Sequence, residues 1–105
     1  MTRLAELASV VRSKNTSPFT WSLDIIFLQA RDYERFKERG LIDEALVTHL
    51  YGLPAQQVLD IVYFDPASAI KICLRRGIPS GSAGDTDVYG AQQHAPLLSW
   101  EFDWP

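Results

Sequence analysis

Arg12, Ser13, Lys14 and Asn15 follow one another without a gap, and together they offer what an anion needs. An arginine can fork onto a carboxylate or phosphate, a lysine adds a mobile charge, and serine and asparagine supply neutral donors. The surrounding stretch, Ser13 to Pro18, consists of residues that favour turns through local hydrogen bonds or a fixed φ. It is therefore predicted as a loop, with two uses open: anion capture, or a solvated loop in which Asn15 and Ser17 satisfy their own backbone. A second polar stretch runs from Pro79 to Asp87. Ser80, Gly81, Ser82 and Gly84 could turn successive amides toward an anion, whereas Asp85 and Asp87 would draw a hard cation. These uses oppose each other. No Lys-Ser or Lys-Thr pair follows the glycines as in a phosphate loop, and a plain surface tip stands beside both.

The third group is Tyr89, Gln92, Gln93 and His94. A histidine with an ordinary pKa of about 6.5 suits general-base work, Tyr89 or Lys14 could assist it, and the glutamines could hold substrate oxygens or a neighbouring chain's carbonyls. No nucleophile stands beside it in sequence. Cys73 falls in the middle of a predicted strand, where a thiol is a small packing group. His49 sits near the end of a predicted helix, where its charge favours the helix dipole. Without a Cys/His cluster or a His-x-x-x-His pair, neither a metal nor a cofactor is expected. Arg75 and Arg76 close a predicted strand, where they suit an acidic partner or a solvated edge equally.

The elements that must position these groups are written in the hydrophobic periods. Leu4, Leu7, Ala8 and Val11 fall at helical spacing, which predicts a short helix from Thr2 to about Arg12. Phe19, Trp21, Leu23, Ile25 and Phe27 alternate with Thr20, Ser22 and Asp24, which predicts a strand whose second face gives mixed signals, because these three suit water while Ile26 and Leu28 do not. Asp32 is predicted to open a helix that ends at Gly40. Asp43 is predicted to cap a second helix, stapled by Ile42 and stopped at Gly52. Val58 to Phe64 is predicted as a strand covered on much of both faces. Across Asp65 to Ser68 it makes a hairpin with the alternating strand Ile70, Ile72 and Leu74. A short helix or turn pair is expected over Val88 to Leu98, bent at Pro96. Leu98, Trp100, Phe102 and Trp104 alternate as a fourth strand.

That order predicts one α+β domain over residues 1–105. The expected architecture is a ferredoxin-like split βαβ sandwich, a four-stranded, mostly antiparallel sheet with helices on one face. Four strands do not close, so the other sheet face awaits solvent, a partner or a second copy. With 105 residues, 47% of them hydrophobic, the chain should fold as one unit. Its net charge of −3 argues against nucleic acid. No apolar run approaches the roughly 20 residues of a membrane helix, and one cysteine makes no internal disulfide, so a cytoplasmic, membrane-free protein is expected. Three tryptophans, five phenylalanines and four tyrosines are a heavy aromatic load, some of it expected under another subunit.

Two long strings are more specific than composition. They are Arg12-Ser13-Lys14-Asn15 with Pro18-Phe19 and Leu23-Asp24-Ile25, and Ser80-Gly81-Ser82 with Gly84-Asp85 and Asp87 through Leu98. Through them nearly all of the chain resembles a bacterial and fungal family, domain of unknown function 4387. Members of that family look like partners of, or fusions to, proteins similar to the acyclic-terpene-utilisation protein AtuA. The Arg12 to Asn15 run also looks like a shortened Arg-Ser-Gly-Asp-Lys-Gly segment of those larger proteins. Lys14-Asn15 stands where that segment has Gly-Asp, and no glycine follows. The resemblance implies a small accessory subunit that completes a complex with an AtuA-like large subunit acting on small organic acids or acyl derivatives. Two other functions stay open. One is a stand-alone or self-associating domain that captures a small anionic metabolite, and the other is a small lyase or hydratase using His94.

Overall fold

The computed structural model of this chain describes residues 1–75 and 95–104. A two-residue strand β1 (Thr2–Arg3) leads into a single helical turn α1 (Leu4–Leu7) and then a long strand β2 (Ala8–Ser17). Next come β3 (Thr20–Phe27), helices α2 (Ala30–Arg39) and α3 (Glu44–Tyr51), and the hairpin β4 (Val58–Phe64) with β5 (Ala69–Arg75). A short helix α4 (Ala95–Ser99) and a two-residue strand β6 (Glu101–Phe102) close the described chain. The chain is thus α+β. Its main sheet has four strands in the order β2-β3-β5-β4, every neighbouring pair antiparallel, while β1 and β6 form a separate two-stranded ribbon.

The N-terminal helix predicted over Thr2 to Arg12 survives only as α1, whose first turn is held by the Arg3 amide donating to Glu6 Oε2 at 2.7 Å. From Ala8 onward the chain is extended. The Ser13 to Pro18 loop is likewise corrected, because residues through Ser17 pair with β3 and only Pro18 and Phe19 turn. Two bulges bend β2, one at Ser9, whose hydroxyl donates to the Ile26 carbonyl, and one at Thr16, whose hydroxyl meets Thr20 Oγ1 at 2.7 Å. Phe19 lies in that turn and is exposed instead of sharing the buried face of β3.

Alternation in β3 is as expected on one side: Trp21, Leu23, Ile25 and Phe27 are buried. They share a face with Ile70, Ile72 and Leu74 of β5, their cross-strand partners or neighbours. Helices α2 and α3 cover this face through Tyr33, Phe36 and Val47, which join the same buried cluster. Helix α2 begins two residues before Asp32, with Gln29 in the cap position, and Asp32 falls in the first turn, where a carboxylate suits the dipole. Its end is as expected, at Gly40 with φ 60°. Asp43 caps α3 by accepting from the Leu46 amide at 2.8 Å, and Gly52 ends it at φ 62°. Ile42 just before the cap and Val47 one turn in are both buried, as a hydrophobic staple requires.

Two further expectations are corrected. Strand β4 is an edge strand covered on one face only, leaving Leu59, Val62 and Phe64 exposed. Leu98 to Trp104 does not enter the main sheet. Only Glu101 and Phe102 are strand, because their partner β1 is two residues long, and the sheet's fourth strand is β2 instead. Of the helix or turn pair expected over Val88 to Leu98, residues 95–98 are helical in α4, which includes Pro96, and residues 88–94 lie outside the described residues. Trp100, Phe102 and Trp104 pack on Phe36 of α2, with ring centroids 6.2, 5.2 and 5.2 Å away, and Arg35 lies 4.1 Å over the Trp104 ring. Much of the aromatic load is therefore covered within the chain.

Candidate functional site

A strand reverses the meaning of the Arg12 to Asn15 run. Successive side chains of β2 point to opposite faces, so the four candidates separate into two pairs. Ser13 and Asn15 pair with Leu23 and Trp21 on the helix-covered face, where Ser13 is buried, and both have interaction partners. Arg12 and Lys14 pair with Asp24 and Ser22 and stand exposed on the open face.

Register then defines rows across that open face. The first, Val10, Ile26, Ala69 and Phe64, is wholly apolar and spans all four strands. The second is Arg12, Asp24, Lys71 and Val62, and the third is Lys14, Ser22, Cys73 and Asp60. Adjacent rows on one face lie about 7 Å apart along the strands. Where the first two rows meet there is a depression of about 270 Å³ whose wall includes Arg12, Lys14, Lys71, Asp24, Ile26 and Phe64. Arg12 Nε lies 3.2 Å from Asp24 Oδ2, and the Asp24 side chain is only 13% exposed. Three cations face one carboxylate, a local positive surplus within a chain of net charge −3. Lys14 and Lys71 make no ion pair among the described residues. The arrangement can hold and orient an anion.

Ser22, whose type suits water, is fully buried in the third row, and its hydroxyl has no hydrogen-bond partner. A larger, more open depression of about 520 Å³ lies between Arg3, Glu6 and Glu101. Arg3 there already faces Glu101 at 3.8 Å, so the charges answer one another.

One polar cluster ties the layers together. The buried Tyr33 phenol of α2 donates to Asp65 Oδ1 in the β4–β5 turn, and Lys37 Nζ reaches the same carboxylate at 2.9 and 3.0 Å. The Tyr33 and Lys37 donors hold the Asp65 carboxyl below its ordinary value. Burial, then the neighbouring Asp65, pushes the Tyr33 phenol up. Burial also raises Tyr63, whose hydroxyl donates to the Ile42 carbonyl at 2.8 Å, and Tyr51 beside the Leu97 backbone. Tyr33 and Tyr63 pin the helical layer to the β4–β5 hairpin, and Tyr51 ties α3 to α4.

Ser80, Gly81, Ser82, Gly84, Asp85, Asp87, Tyr89, Gln92, Gln93 and His94 lie outside the described residues. Cys73 is half-buried on β5, and His49 is exposed in the last turn of α3. Among the described residues no cluster of three His, Cys, Asp or Glu side chains could hold a metal, and no helix is long and apolar enough to cross a membrane. Lys71, Asp24, Ile26 and Phe64 escaped the sequence reading as site residues. The alternation of Lys71 with Ile70 and Ile72 placed it outward, but nothing local set the register that brings it beside Arg12.

No curated protein and no solved structure matches the chain. A family model does, over residues 4–101, which is nearly the whole of the described fold. The chain therefore belongs to the family described as domain of unknown function (DUF4387).

Proposed function

We propose that this domain is an accessory subunit that docks through the open face of its sheet onto a larger protein. The resemblance noted above makes an AtuA-like large subunit, acting on small organic acids or acyl derivatives, the partner of choice. The observation that carries this reading is the apolar row Val10, Ile26, Ala69 and Phe64 on a sheet face that no described helix covers. Exposed apolar surface bordered by charge is the usual composition of an interface. A second copy is a poorer occupant, because stacking two such faces would bring Arg12, Lys14 and Lys71 of each near those of the other. The sheet is read as a ferredoxin-like variant in which β2 takes the outer place of a C-terminal strand. In support, β3 and β4 both pair antiparallel with β5, which lies between them.

Mixing the purified chain with an AtuA-like protein from the same genome, followed by light scattering on a sizing column, tests the reading. A stable complex lost in Ile26→Asp is expected. Two separate peaks for the wild-type mixture would overturn it.

The depression beside Arg12, Lys14 and Lys71 favours a second reading, in which the domain captures a small anion itself. Asn15 drops out of that site, because it belongs to the opposite sheet face.

A further inference from the structure

We propose that the open-face depression binds a monocarboxylate with a short aliphatic body, its charged head between Lys14 and Lys71 and its chain along Ile26 and Phe64. This rests on the anion-capture reading and adds the class of ligand, together with Lys71 and Phe64 as recognition groups. Arg12 is already engaged by Asp24 at 3.2 Å, which leaves Lys14 and Lys71 as the cations free of ion pairs among the described residues. They stand on β2 and β5, the two neighbours of β3, and one row apart along the strands, which puts them about 12 Å apart at the backbone, a gap that two lysine stems can close on one small anion.

Asp24 lies in the row between Arg12 and Lys71 and is nearly covered, and its pairing with Arg12 leaves the head group to the two lysines. The amides of the inner strands β3 and β5 here run in ladder pairs with both neighbours, so these strands offer no nest of free amides to a phosphate. The apolar row begins about 7 Å along the strands from the charged one, which matches a head group followed by a few methylenes. At about 270 Å³ the space suits a small molecule only.

Calorimetry and NMR titration of the full chain with sodium hexanoate, acetate, hexanol and inorganic phosphate test the proposal, with the fold of each variant checked by circular dichroism. Hexanoate is expected to move Ile26 and Phe64 resonances and to bind at least about tenfold more tightly than acetate. Lys14→Ala/Lys71→Ala should weaken hexanoate by about tenfold or more while the fold is kept. Phe64→Ser should weaken hexanoate and leave acetate unchanged. Acetate or phosphate binding as tightly as hexanoate would overturn the ligand class and leave anion capture standing. Hexanol equal to hexanoate would overturn any role for the lysines. Failure of every anion to bind would overturn both the proposal and the reading beneath it.

Discussion

Asp65 shows how one side chain holds two layers together. Its carboxylate accepts from the Tyr33 phenol and from Lys37, and these contacts, the phenol's first, lower its pKa on folding. A group whose folded pKa is depressed adds stability above its unfolded value, about pH 4, and loses that contribution as pH falls through the lowered value. Tyr33→Phe removes the larger cause, so the Asp65 midpoint in a carboxyl-carbon NMR titration should rise toward the ordinary value. An unchanged midpoint would contradict the assigned cause. The alternation of β2 permits an equally local test. Lys14→Ala, on the open face, is expected to leave stability within about 0.5 kcal/mol, as exposed changes do. Ser13→Lys, on the covered face, would put a charge against Leu23 and cost several times that. Equal denaturation midpoints for the two would mean that β2 does not face as described.

Among the elements, α3 is the plainest case of sequence chemistry becoming structure. Asp43→Ala removes the acceptor of the Leu46 amide and should cost about 1 kcal/mol, lowering the thermal midpoint by about 4–8 °C. A shift under a degree would mean that water replaces the cap freely. This helix, the end of α2 and the strands β3, β4 and β5 were legible because caps, glycines and alternation agreed. Strand β2 was not, for a physical reason: its inward positions include Ser13 and Asn15, so the polar–apolar alternation that marks a strand is missing. Leu4, Leu7, Ala8 and Val11 meanwhile imitate a helical stripe. The pairing with β3 that decides the matter is not local. At the other end, the alternation of Trp100, Phe102 and Trp104 did place the rings on one side, but that side faces Phe36 and not the main sheet. Of the candidate site, Arg12 and Lys14 were legible as cations. Lys71, Asp24 and Phe64 join them only through register.

Among the described residues the molecule is a sheet with one finished face and one unfinished face. Phe36 is the hub of the finished side, touching Phe27, Trp100, Phe102 and Trp104. Phe36→Ala is expected to cost about 3–5 kcal/mol, a large share of a domain's usual ~5–15 kcal/mol. It should also shift tryptophan emission to the red as Trp100 and Trp104 lose their cover. A denaturation midpoint close to wild type would show that the C-terminal rings do not depend on α2. The unfinished side carries the functional claim, and adjacent residues of β3 supply a built-in control. Ile26 lies in the open row while Ile25 is buried behind it. Methyl NMR of the chain on addition of an AtuA-like large subunit should perturb Val10, Ile26 and Val62 and leave Val47 on α3 unmoved. Perturbation centred on Val47 and Leu46, with Ile26 unchanged, would contradict docking through the open face.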